Sequence, residues 1–454
     1  MRALGPVDQL FLWLERRQQP MHVGGLMLFD IPEDADPESF VHEVAEKMRQ
    51  NIPPVRPFNQ HLQGMFWAED DEFDLEHHFR HIALPEPGRI RELLAYVSQS
   101  HSALLDRAKP LWECHLIEGN EGNRFALYFK VHHSMVDGVA GMRIARQMLA
   151  NSPDIKTDTP LWAVKRNRKA KTEEPGNNPM EAFANVVNTL REQFSTIPTV
   201  ARELTRAIRS SYHHDPDYVS VFQAPRSILN QRISGSRRFA AQSYDLNRIK
   251  AVSKVMGCTI NDVVLAMCAG ALRTYLMELN ALPEKPLVAM VPVSLRRDDS
   301  EGGNQISMLL ANLATNLHDP AQRLDVIRHT MKNAKDRLSR MTQAEIMNYS
   351  AMIYSIAGAN LITGIAPKWQ ACNLVISNVP GPTEPMYWHG AKLSGLYPVS
   401  IVLDGMALNI TMTSYVDTLE FGLIACRKAL PSMQRLLTYL EESLMELERT
   451  AKLA

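Results

Sequence analysis

Strand-length apolar runs and stripes at helical spacing alternate through the first third of the chain. "MHVGGLMLFDI" (Met21–Ile31) and "RFALYFKV" (Arg124–Val131) have the length and apolar content of strands. Between them, "DPESFVHEVAEKMRQ" (Asp36–Gln50) is an amphipathic helix opened by an acid. "DGVAGMRIARQMLA" (Asp137–Ala150) follows as a helix, with Met142, Ala145 and Leu149 at helical spacing. From about residue 151 the pattern changes: "KRNRKAK" (Lys165–Lys171) and "EEPGNNP" (Glu173–Pro179) have linker character. Two helical stripes follow, one through Phe183, Val186, Leu190, Phe194 and Ile197, the other through Val200, Leu204 and Ile208 beside Arg202, Arg206 and Arg209. They suit a helical bridge docked on a core; an arginine-rich surface that touches anionic lipid is the other reading.

After about residue 236 the mixed pattern returns. "NDVVLAMCAGALRTYLME" is helical after Asn261, and "LVAMVPVSL", "CNLVISNV", "ALNITMTSY" and "LEFGLIA" are strands. A last helix turns Met433, Leu436, Leu440, Leu444 and Leu447 inward. The expected organisation is therefore an α/β domain over residues 1–150, a helical and basic linker over 151–235, and a second α/β domain over 236–454.

Composition narrows the function classes. A chain of 454 residues is too long for one ordinary core. Its net charge of −1 gives no basic field for nucleic acid. The five cysteines (114, 258, 268, 372 and 426) are scattered without a CxxC pair, as for buried reduced thiols. No signal peptide, lipidation motif or membrane span is evident, so the expectation is a cytoplasmic protein, at most peripherally bound to a membrane or lipid inclusion.

The chemistry concentrates in "VHHSMVDG", Val131–Gly138, where a strand gives way to a helix. Imidazole titrates near 6.5, so its neutral form is available as a base at neutral pH. An alcohol holds its proton far more tightly, so that proton must move while the oxygen attacks a carbonyl, and a positioned base assists that step. Asp137 is placed to orient the loop, and Gly138 leaves room for substrate or a sharp turn. Adjacent residues on a strand point to opposite faces, which argues against one metal held by both His132 and His133. From these residues alone the site stays undecided between a structural pair, a metal site and a base.

"HHSMVDG" resembles the HHxxxDG motif of the CoA-dependent acyltransferases, the superfamily of chloramphenicol acetyltransferase and the peptide-synthetase condensation domains. "PVDQLFLWLERRQQPMHVGG", "PLWE" (Pro110–Glu113), "ND" (Asn261–Asp262), "PVSLRR" (Pro292–Arg297) and "SNVPGP" (Ser377–Pro382) stand in the order found in the bacterial wax ester synthase/diacylglycerol acyltransferase family. The resemblance spans essentially the whole chain. A second "PLW", Pro160–Trp162, is read as accidental.

The resemblance implies two chloramphenicol-acetyltransferase-like α/β domains joined by a long helical linker, with the active site where they meet. It implies transfer of a long acyl group from acyl-CoA to a fatty alcohol or a diacylglycerol. His133 is then the general base, His132 a support for the loop, and Asp137 a structural acid paired with Arg296. Asn261, next to Asp262, is a candidate oxyanion donor, with a plain helix N-cap as its other reading. Pro110, Leu111, Trp112, Ser377, Asn378 and Thr411 are expected on the substrate side. Gly358 and Ala359 mark either an acyl tunnel or close helix packing. A serine mechanism through Ser134 is disfavoured because the sequence reveals no acid–histidine–serine relay. Acyl-CoA is a substrate, so no cofactor and no metal are expected. The "DFGWG" motif of some superfamily members is absent. Two other readings are an acyltransferase that uses a carrier-bound donor, and a non-catalytic protein of lipid-droplet or membrane surfaces.

Overall fold

The computed structural model describes residues 1–50, 52–165, 219, 223–294, 306–341, 345–346 and 370–453. Arg296, Gly358, Ala359 and the two linker stripes lie outside the described residues. The architecture is mixed α/β, as the pattern predicts, but its compact units are not consecutive blocks. One unit gathers Met1–Arg166, Gln231–Val252 and Ser377–Glu442; the other gathers Asn167–Asn230, Ser253–Ile376 and Ser443–Ala454.

In chain order the first unit begins with β1 (Arg2–Ala3), α1 (Pro6–Leu14), β2 (His22–Asp30) and α2 (Pro37–Arg49). There follow β3 (Gln60–Gln63), β4 (Phe66–Glu69), α3 (Leu75–His78), β5 (Phe79–Ala83) and α4 (Ile90–Ser102). Next come β6 (Trp112–Asn120), β7 (Arg124–His132) and α5 (Gly138–Met148). Later elements are β8 (Arg237–Asp245), α6 (Leu246–Met256), α7 (Ile260–Glu278), β9 (Val288–Ser294), β10 (Ile306–Asn312) and α8 (Pro320–Ser339). The chain ends with β11 (Leu374–Val379), β12 (Tyr387–Trp388), β13 (Ala391–Val399), β14 (Leu408–Tyr415), β15 (Thr418–Cys426) and α9 (Arg435–Thr450).

A six-stranded sheet, ordered β12-β13-β2-β7-β6-β5, dominates the first unit. Its middle strands β2 and β7 pair antiparallel from His22↔His132 to Asp30↔Arg124, and every residue of β7 except Arg124 is buried. β13 pairs antiparallel with β2, with Pro398 opposite Gly25. A strand near residue 395 thus completes a sheet begun at residue 22, which corrects the expected 1–150 and 236–454 boundaries. The 151–235 boundaries shift too: Leu161–Ala163 and the chain from Gln231 belong to the first unit. Periodicity identifies a strand but not its partner, and these partners are hundreds of residues apart.

In the second unit β9 pairs antiparallel with β10 and parallel with β11. α7 opens on Thr259, whose side chain and that of Asp262 cap each other's backbone. With 19 residues, α7 is long and apolar enough to cross a membrane by length and composition, yet 72% of its apolar 18-residue stretch is buried inside the protein. All five cysteines are free thiols, four of them buried.

Candidate active site

β7 ends at His132, and α5 begins at Gly138; the five residues between make the turn that carries the candidate chemistry. Three backbone hydrogen bonds fix its start. His132 N–H donates to Leu111 O at 2.9 Å, His133 N–H to Met21 O at 2.9 Å, and Met135 N–H to His132 O at 2.9 Å. Asp137 fixes its end as the N-cap of α5, its Oδ1 accepting from Ala140 N–H at 2.7 Å.

The two imidazoles have different freedom. The His132 ring is fully buried, and its Nδ1 lies 2.6 Å from Ser134 Oγ and accepts the Ser134 backbone N–H at 3.2 Å. A backbone N–H can only donate, so Nδ1 carries no proton and the ring hydrogen sits on Nε2. That nitrogen faces Glu15 Oε1 at 3.5 Å. Glu15 also accepts from Met21 N–H at 3.2 Å and from Arg107 Nε at 3.0 Å. Burial works against the Glu15 carboxylate, but His132, the Met21 amide and Arg107 outweigh it and hold its pKa below the ordinary value. The lone pair of His132 is therefore already used.

The His133 ring is half-buried and stacks on Phe11, centroids 4.3 Å apart and planes 19° from parallel. Burial pushes its pKa below the ordinary 6.5, opposed in part by Asp137 and its own backbone, so the ring is neutral at neutral pH. Among the described residues no other side chain hydrogen-bonds to it.

An apolar cavity of about 130 Å³ borders this turn. Asp137, Gly138 and Gly141 line it from the start of α5, Gly24 and Gly25 from β2, and Phe58, Phe129 and Leu161 close it. Val379, Tyr397, Ser400 and Thr411 supply the wall from the later part of the chain. The lining glycines have different physical reasons. A Cβ on Gly24 would lie 2.6 Å from Phe129 O, so strand packing excludes any side chain there. A Cβ on Gly25 or Gly138 would meet nothing within 4 Å.

The predicted site residues divide accordingly. Asp137, Gly138 and Thr411 reach the cavity wall, although the Thr411 hydroxyl donates to Asn409 Oδ1 at 2.8 Å; His132 and His133 stand beside the cavity, outside its lining. Pro110, Leu111 and Trp112 are buried core residues and do not line this cavity. Leu111 acts through its carbonyl on His132; the Trp112 Nε1–H donates to Phe58 O at 2.8 Å and its ring stacks on Phe129, both cavity residues. Ser377 and Asn378 are off the cavity wall, where Val379 of the same strand stands instead. Asp262 is engaged in the α7 cap, its Oδ2 accepting from Thr259 N–H at 2.9 Å and lying 2.7 Å from Thr259 Oγ1, which gives it a structural role. Asn261 is the second residue of α7, and the N-cap reading passes to Thr259.

Two further expectations are corrected. The supposedly accidental Pro160–Trp162 places Leu161 in the cavity wall and stacks Trp162 on Trp112 at 5.3 Å. An acid–histidine–serine arrangement does exist, Glu15–His132–Ser134, but all three side chains are buried. Sequence reasoning missed Phe11, Glu15 and Met21, although all three lie in the quoted N-terminal motif; no spacing rule connects residue 15 to residue 132.

The architecture that carries the histidine turn is the condensation-domain, CoA-acyltransferase-like fold. The first condensation domain of the CDA synthetase superposes with a TM-score of 0.57 at 15% identity, covering 99% of this chain and 96% of that one, a likeness of fold. A family model, the wax ester synthase/diacylglycerol acyltransferase catalytic domain, matches residues 4–264, and the corresponding C-terminal domain matches 302–448. The chain belongs to the wax ester synthase/diacylglycerol acyltransferase family and is an acyltransferase. It is 59% identical to the O-acyltransferase WSD of Acinetobacter baylyi over 99% of this chain and 97% of the relative. It is 41% identical to a probable diacylglycerol O-acyltransferase of Mycobacterium tuberculosis over 99% of both. The solved wax ester synthase/diacylglycerol acyltransferase of Marinobacter aquaeolei VT8 superposes with a TM-score of 0.81 at 51% identity over the full length of both chains.

Proposed function

We propose that this chain transfers a fatty acyl group from acyl-CoA to the hydroxyl of a fatty alcohol or diacylglycerol, with His133 as general base. The observation that carries this reading is the contrast between the two rings: His132 has spent its lone pair on Ser134, whereas His133 is neutral and bound by no other described side chain. His133 takes the hydroxyl proton as the acceptor oxygen bonds to the thioester carbon. The tetrahedral adduct then expels CoA thiolate, which recovers the proton from the imidazolium, leaving ester and free CoA. No covalent acyl-enzyme is required.

The cavity supports an acyl site. Its size is comparable to the roughly 150 Å³ apolar cavity known to admit benzene, so it holds a segment of about six carbons beside the turn. Asp137 caps α5 and sets where the turn ends; His132 and Glu15 set where it begins. In this reading all three are positioning residues.

Purified protein supplied with palmitoyl-CoA and either hexadecanol or diacylglycerol should release free thiol and form the matching ester. His133→Ala should lose about 10²- to 10⁴-fold in rate while remaining folded. Full-rate esterification by that variant would overturn the assignment.

A further inference from the structure

α1 has two unlike faces. Phe11 covers the His133 ring, and Leu12 is buried in the core. On the other face Leu10 is 40% exposed and Trp13 is 70% exposed, whereas Trp67, Trp112, Trp162 and Trp388 are fully buried. The loop after α4 is tied to the end of this helix, where Arg107 donates to Glu15 Oε2 and to Leu12 O, and that loop exposes Leu104. The charge around the patch is one-sided. Asp8 of α1 turns back to its own N-terminus, accepting from Gly5 N–H, and Glu15 is buried under Arg107. Arg16 and Arg17 are exposed, with no ion pair among the described residues, while the exposed Arg2 acts on Asp8. Asp106 is the one exposed acid on the Arg107 loop, and its carboxylate accepts from Ala108 N–H.

We infer that this face seats the enzyme on a phospholipid surface carrying anionic headgroups, with Leu10 and Trp13 entering the interface and Arg16 and Arg17 facing the headgroups. The inference rests on the reading that the acceptor is a lipid, which resides in such a surface and not in water. An exposed indole favours the boundary between hydrocarbon and water, and a short amphipathic helix with basic flanks binds in the plane of that boundary. The helix that enters the lipid is then the helix that covers the candidate base.

The full-length protein should float with phosphatidylcholine vesicles that contain phosphatidylglycerol, and lipids brominated in their acyl chains should quench its tryptophan emission. Trp13→Phe should remove most of that quenching while flotation persists. Leu10→Ser with Trp13→Ser should weaken flotation at least tenfold and slow turnover of a vesicle-borne acceptor, with turnover of a water-soluble short-chain alcohol unchanged. Arg16→Gln and Arg17→Gln should each weaken binding about fivefold on the anionic vesicles and leave neutral ones unaffected. Unchanged flotation of the double serine variant would overturn the inference, as would burial of Trp13 by self-association without lipid. Docking by a protein that turns over no acceptor would uphold this surface and overturn the proposed function instead.

Discussion

The ring of Phe11 lies against that of His133, centroids 4.3 Å apart and nearly parallel. One aromatic side chain from the first helix therefore sets the environment of an imidazole more than a hundred residues away. Burial is the main reason the His133 pKa is depressed, so the neutral, competent ring persists below 6.5 and is lost only as the pH falls through that lowered value. The kcat/KM profile should show an acid limb below 6.5. Phe11→Ala admits water, lets the pKa rise toward 6.5 and moves the limb upward, so the variant should lose more activity at about pH 6 than at about pH 8. A limb that stays in place would separate Phe11 from the base.

Ser134 is buried and donates to a histidine that is itself locked. Ser134→Ala keeps the backbone N–H that fixes the His132 tautomer and should retain activity within about tenfold, since one buried hydroxyl hydrogen bond contributes about 1 kcal/mol. Trapping of an acyl group on Ser134, or loss as deep as that of His133→Ala, would restore the serine mechanism.

Gly24 and Gly25 are neighbours with opposite expected outcomes. Gly24→Ala forces a Cβ against Phe129 O and should destabilise the protein by about 1–3 kcal/mol, read as a lowered melting temperature. Gly25→Leu has space, because it projects into the apolar cavity, and should shift acyl-CoA preference toward shorter chains at little cost in stability. Uniform loss over all chain lengths would place the acyl chain elsewhere.

Buried histidines make the fold acid-sensitive. Burial pushes His101 down to about 3 and His78 to about 4, and holds His22 well below its ordinary value. The unfolded chain takes up those protons near 6.5, so their contribution is complete above that pH and declines as the pH drops toward 4. The melting temperature should fall by several degrees between about pH 7 and pH 5. His101 also donates from Nε2 to Ser400 O and pairs with Tyr128 OH at 2.7 Å, so His101→Asn should be less stable at neutrality but show a shallower decline.

Much of the local structure is legible without coordinates. The burial of Met433, Leu436, Leu440, Leu444 and Leu447 follows from their spacing, and β2, β7, α2 and α5 stand where the pattern predicts them. The cap of α7 is less so: three polar residues compete for it within "TIND", and only the backbone geometry chooses Thr259 and Asp262 over Asn261. The two Pro-Leu-Trp strings are identical on paper. Their indoles stack on each other in one core, which no comparison of tripeptides discloses.

By itself the sequence determined the α/β class, the histidine turn between strand and helix, and membership of the family, because those depend on periods and motifs within short stretches of chain. The tertiary structure alone decided which imidazole keeps its lone pair, which glycine opens a cavity, and that a strand near residue 395 completes a sheet begun at residue 22. Those outcomes depend on contacts between residues tens to hundreds of positions apart. Hydrogen-bond direction and excluded volume act through space, and sequence separation carries no record of them.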